Sequence, residues 1–267
     1  MRGMHFVYLH GGPGMNSFGE EEILRPLFEE RGASIEFWNE PPVTSPGGAF
    51  RNLTQSVRER LALLKRGGQP VHVIAHSFGA NAACHVLLEE PDLADALTLV
   101  APALHFREEL SNILNLALDD FRASSPKVAL ELEELITTSK SFYDKPMRKA
   151  VDLAAQDPNL FNHYFFNKDA LARYFGVWGK RGAGLDLNAF HEVTQDYGAS
   201  LDVSASSRRL SLPTTLVSGS HEAVIDGRKE LTTCQNLFSN FSAVEFPSSG
   251  HFPHLEEPEK FVSLLLS

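Results

Sequence analysis

Six short apolar runs, interleaved with helical patterns, constrain this chain more than any other feature. They occupy residues 5–9, 35–38, 71–75, 96–100, 214–218 and 243–246. Each is nearly continuous in hydrophobicity rather than alternating, as strands buried on both faces are. Between them apolar residues recur at helical spacing, as at Leu53, Val57, Leu61 and Leu64. Gly67-Gly68 stops that helix, and Pro91 follows the next one. Such alternation predicts an α/β fold with a mostly parallel sheet covered on both sides. With 267 residues, 43% of them hydrophobic, the chain can bury a sizeable core.

The net charge of -10 argues against a nucleic-acid backbone or an anionic membrane as partner. Residues 6–9 form an apolar run too short for a signal-peptide core or a membrane span. Cys84 and Cys234 fall in predicted helices without metal-site spacing, and read as reduced, buried thiols. A cytoplasmic protein acting on a small molecule is therefore expected.

The alternation lapses over residues 104–210, where the text is helical, turn-rich and aromatic. The chain divides into a first core part (1–103), a helical cap (104–210) and a second core part (211–267). Most rings of the insertion would simply pack it. Phe165, Phe166, Tyr174 and Trp178 are the ones expected to line a substrate pocket.

Within "VHVIAHSFGAN", residues 71–81, a buried strand breaks on a serine and a helix begins almost at once. A strand–turn–helix with serine at its apex is a nucleophile elbow, which pushes the hydroxyl out of the carboxyl edge of the sheet. Its strained backbone demands small neighbours, and Ala75, Gly79 and Ala80 supply them. An ordinary helix N-cap would also account for Ser77 taken alone.

Two other stretches bear on that choice. "YLHGGPG", residues 8–14, ends the first strand in a glycine-rich loop. It lacks both the G-x-G-x-x-G pattern and the Lys-Ser/Thr pair of phosphate loops. Exposed N–H groups there would instead suit an oxyanion. Near the C-terminus, "PSSGHFPHLEEPEKF" puts His251 directly after the last strand, with His254 as its local competitor.

Together these segments resemble the α/β-hydrolase superfamily, in particular capped serine hydrolases related to proline iminopeptidases and C–C bond hydrolases. Residues 10–14 look like the oxyanion loop, 75–79 like the elbow, and Gly250-His251 with "LEEPEKF" like the terminal histidine motif. Ala75 replaces the usual first glycine of the elbow. The resemblance implies Ser77 as nucleophile, His251 as base, and an acid after the penultimate strand. Glu222 holds that position where aspartate is more usual, and Asp226 is the alternative. It also implies oxyanion donors at the backbone N–H groups of Gly12 and Phe78, and neither cofactor nor metal. Relatives usually carry a strand pair before the oxyanion loop, so a shortened sheet of about six strands is expected. The edge this opens would offer a surface for a homodimer.

The expected activity is hydrolysis of a small, partly apolar ester or related acyl compound through an acyl-enzyme. The HGGPG loop also points to prolyl aminopeptidases, with Glu131, Glu133 and Glu134 as cap carboxylates for an amine, but those relatives tend to carry tryptophan where Phe78 stands. C–C bond hydrolysis uses similar machinery. A reading of another class is a hydrolase-fold protein that binds a ligand without turning it over.

Overall fold

The computed structural model describes residues 4–43, 47–141, 143–197 and 203–266. Its centre is one six-stranded sheet: β1 (His5–Leu9), β2 (Ser34–Trp38), β3 (Val71–His76), β4 (Ala96–Val100), β5 (Thr214–Gly219) and β6 (Phe241–Phe246). The spatial order is β2-β1-β3-β4-β5-β6 and every pair is parallel. All six expected strands are present, and the sheet is wholly rather than mostly parallel. One expectation fails in detail. β6 is an edge strand, and Ser242, Ala243 and Glu245 on it are exposed rather than buried on both faces.

Parallel strands need crossovers, and helices supply them. The helices of the core are α1 (Phe18–Glu30), α2 (Ala49–Arg66) and α3 (Phe78–Glu89). Between β4 and β5 come α4 (Phe106–Ser124), α5 (Pro126–Thr138), α6 (Lys145–Ala154), α7 (Lys168–Arg181) and α8 (Leu187–Tyr197). The chain closes with α9 (Gly227–Leu237), α10 (Pro253–Glu256) and α11 (Pro258–Leu266). Successive strand residues point to opposite faces. Val7, Leu9, Val73, Ala75 and Leu99 pack with α2, α3 and α9. Phe6, Tyr8, Ile74, Val100 and Phe246 pack with α1 and α11.

The crossover after β1 runs to one side of the sheet and the crossover after β3 to the other. The loops leaving these neighbouring strands therefore part at their carboxyl ends, the crevice where open α/β sheets bind ligands. The helices between β4 and β5 do not behave as one body. α4, α5 and α6 gather around their own apolar cluster, including Leu114, Phe121, Leu132 and Met147. α7 packs on α1 and α8 on α2, so these two extend the main cores. No described helix is long and apolar enough to cross a membrane.

Candidate active site

Ser77 stands at the turn between β3 and α3 with φ 50° and ψ −121°. A side chain in that region costs roughly 1–3 kcal/mol, so the surroundings must over-determine it. They do. Its N–H donates to the Val100 carbonyl at 3.0 Å, and its own carbonyl accepts from the N–H groups of Ala80 at 3.0 Å and Ala103 at 3.2 Å. Gly79 lets α3 close on β1, because a Cβ there would lie 2.5 Å from the His10 carbonyl oxygen and 2.7 Å from that of Leu9. The serine side chain makes no capping hydrogen bond to α3, so the ordinary N-cap reading fails.

The loop at residues 10–14 lies against this turn, and a Cβ on Gly11 would sit 3.1 Å from that of Ser77. It is pinned from both sides. The Gly14 N–H donates to Glu40 Oε1 at 2.6 Å, and the Gly14 carbonyl accepts from the Asp186 N–H at 2.8 Å. Burial pushes the Glu40 carboxyl up to about 7. Pro13 has no N–H, and that of Gly14 is engaged with Glu40. Phe78 begins α3, where first-turn N–H groups lack partners within the helix and the helix dipole is positive.

His251 and Glu222 meet at the same edge. Gly219 allows the approach, since a Cβ there would lie 2.2 Å from the carbonyl oxygens of both Ser249 and Gly250. The His221 N–H then donates to the Ser249 carbonyl at 2.9 Å. His251 Nδ1 is 2.8 Å from Glu222 Oε2, and Glu222 Oε1 accepts from the N–H groups of Val224 at 2.7 Å and Ile225 at 3.3 Å. His251 Nε2 is buried with no hydrogen-bond partner among the described residues. The backbone of His251 is also held, its main-chain N–H donating to the Tyr164 carbonyl at 2.8 Å. Asp226 is placed elsewhere: exposed, it caps α9 by accepting from the N–H groups of Arg228 and Lys229. His254 faces away, its Nε2 2.8 Å from the Tyr8 hydroxyl.

Ser77, Gly11, Gly12, His251 and several apolar side chains line one cavity of about 80 Å³. The expected rings do not reach it. Phe165, Tyr174 and Trp178 are buried in the apolar cluster around α1 and Phe252, and Phe166 lies exposed, stacked on His221 at 3.7 Å. Tyr174 packs against Gly19, where a Cβ would meet its Cδ2 at 2.2 Å. The aromatic walls include Phe106, Phe161, Tyr164, Phe190 and Phe252 instead. Glu131, Glu133 and Glu134 are exposed on α5. The carboxyl that does enter the cavity is Glu109, on the first turn of α4, where sequence alone offered no signal. The Ser77 hydroxyl donates to its Oε1 at 3.4 Å.

Among the described residues one trio has metal-compatible spacing, Glu20, His76 and His254, all buried beneath the serine turn. The Tyr8 hydroxyl bridges two of them, 3.3 Å from Glu20 Oε1 and 2.8 Å from His254 Nε2. Burial holds Glu20 up at about 8 and His254 down at about 3, so this is a neutral hydrogen-bonded cluster.

Solved structures share this architecture. An esterase from Exiguobacterium antarcticum superposes with a TM-score of 0.65 at 14% identity, covering 99% of this chain and 91% of that one. A proline iminopeptidase-related protein from Thermus thermophilus gives 0.67 at 19% identity, over 99% and 88%. A 2-hydroxy-6-oxo-6-phenylhexa-2,4-dienoate hydrolase from Rhodococcus gives 0.63 at 16% identity, over 98% and 89%. At such identities the likeness speaks for the fold alone. Direct comparison with curated protein sequences finds no match. The family model does match, across residues 6–264, and with the sheet order and the serine turn it settles the assignment: the chain belongs to the alpha/beta hydrolase family.

Proposed function

We propose that the protein is a serine hydrolase that cleaves a small, partly apolar ester or related acyl compound through an acyl-enzyme on Ser77. The observation that carries this reading is His251, paired with Glu222, in one cavity with the strained serine, with His251 Nε2 left for a proton. Ser77 Oγ attacks the carbonyl carbon, and His251 Nε2 takes the hydroxyl proton and returns it to the leaving group. Glu222 fixes the imidazole and stabilises its protonated form. The N–H groups of Gly12 and Phe78 receive the oxyanion. In the resting arrangement the hydroxyl donates to Glu109 Oε1, so it must give up that hydrogen bond before His251 can take its proton. Catalytic hydrogen bonds often form only when substrate is bound.

Apolar side chains around the cavity, among them Leu110, Leu114 and Val151, favour an uncharged acyl group. The relevant test is a panel of p-nitrophenyl esters of increasing acyl length beside prolyl-arylamides. Turnover of short and medium esters that rises with length until the cavity fills supports the proposal. Turnover of prolyl-arylamides alone would restore the aminopeptidase reading. Saturable ligand binding with no turnover of any compound would leave a non-catalytic binder.

A further inference from the structure

Among the described residues, Glu109 is the one that lines both the serine cavity and a second, polar cavity of about 290 Å³ beside it. The second cavity lies between α4 and the start of α9, walled by His105, Asn112, Asp226, Lys229 and Glu230, and reaches the surface at the exposed Glu108 and Asp226. Glu109 is only 7% exposed, and its Oε2 has no hydrogen-bond partner among the described residues. A buried carboxyl oxygen left unsatisfied is costly and calls for an occupant. Burial, with Glu230 and Glu222 close by, pushes this carboxyl well above its ordinary range, so it can donate as well as accept.

Hydrolysis through an acyl-enzyme needs water at the acyl carbon after the leaving group has gone. The acyl chain then occupies a cavity whose walls are almost wholly apolar and hold no water well. Acylation also changes Glu109. Its Oε1 receives the Ser77 hydroxyl in the free enzyme, and that donor vanishes when Oγ becomes an ester oxygen. The position it leaves is within hydrogen-bonding reach of the new ester.

We propose that Glu109 admits water from the polar cavity and orients it for deacylation at Ser77. The inference rests on the acyl-enzyme reading above. In this step the water oxygen bonds to the acyl carbon while its proton passes to His251 Nε2. The tetrahedral intermediate then collapses, the Ser77 Oγ–carbon bond breaks, and Oγ recovers the proton from the imidazole. Glu109 holds the water by a hydrogen bond and is itself unchanged at the end.

Rapid mixing with p-nitrophenyl butyrate separates the two half-reactions in the wild type, Glu109→Gln and Glu109→Leu, with Glu109→Met as a second apolar variant should the leucine variant fold poorly. The apolar variants should acylate within about threefold of wild type and deacylate about tenfold or more slowly. They should then show a burst near one equivalent of nitrophenol. Glu109→Gln, which still hydrogen-bonds, should rescue deacylation relative to the apolar variants. Equal losses in both steps, or no change in deacylation, would overturn the role. So would a loss confined to esters bearing an amine, which would make Glu109 a cation site. Labelling by a fluorophosphonate separates the two levels of failure. Labelled variants with unchanged deacylation sink the water role alone, whereas a folded wild type that resists labelling sinks the acyl-enzyme reading and this inference with it.

Discussion

The carboxyl edge of the sheet and the helices between β4 and β5 meet at one cavity, yet they are built by different rules. At the edge, position follows from backbone packing. Gly79 sits against β1 and Gly219 against the loop after β6, with no room for a Cβ at either. The strand register puts Leu9 opposite Ala75 and Ala75 opposite Leu99. The groups that follow each strand therefore have little freedom in where they arrive. The helical segment has no such frame. α7 docks through rings on α1, α8 docks on α2, and α4 to α6 pack on one another. The edge fixes chemistry, and the helices fix what chemistry can be reached.

Substitutions should separate the two rules. The largest effect belongs to the edge: Ser77→Ala should lower kcat by several orders of magnitude, about 10⁴-fold or more, with an unchanged circular-dichroism spectrum. Near-normal turnover in a folded variant would remove the serine mechanism. Next, Glu222→Gln should cost about 10²- to 10⁴-fold in kcat, because the amide orients the wrong tautomer and carries no charge for the imidazolium. Asp226→Asn should leave kcat near wild type, since asparagine caps a helix about as well as aspartate. The reverse ranking in steady-state kinetics would move the acid to Asp226.

The helical segment should respond in stability instead. Gly19→Ala pushes a methyl group into the Tyr174 ring and should cost about 1–3 kcal/mol in urea unfolding, with kcat little changed. A comparable loss of kcat at full stability would place that ring in the site after all.

These outcomes bear on what a sequence can show. The six strands, the serine turn, the glycine loop and the place of His251 were legible because each lies in or at the end of a strand, whereas Glu222 was reached only through the family resemblance, with Asp226 still open. The aromatic walls were not legible. Tyr174 and Trp178 share one helix with Phe175, and nothing in their spacing says which face meets the sheet. The only local sign was Gly19 in the first turn of α1, the seat for Tyr174, and its meaning emerges only once the two helices touch. Glu109 was hidden for a related reason. A glutamate in the first turn of a helix ordinarily faces solvent near the positive end of the helix dipole. This one instead faces inward, buried and accepting from the Ser77 hydroxyl.

A further expected effect concerns the buried cluster of Glu20, His76 and His254. Glu20 is held neutral with its titration raised from 4.5 to about 8, chiefly by burial. The unfolded chain releases that proton near 4.5, so stability on this account is full below that pH and falls as pH rises toward about 8. Glu20→Gln keeps a neutral, hydrogen-bonding side chain and should flatten the decline. Urea midpoints at pH 5.5 and 8.5 would show it, and an unchanged slope in the variant would assign the pH dependence to other groups.

The central claim is a covalent acyl-enzyme on Ser77, and its direct measurement is mass spectrometry of protein quenched in acid during turnover of a p-nitrophenyl ester. The account predicts an added acyl mass on the peptide that contains Ser77, lost in Ser77→Ala and accumulating in Glu109→Leu. Ester hydrolysis proceeding at the wild-type rate with no adduct, or with an adduct on a different residue, would contradict it.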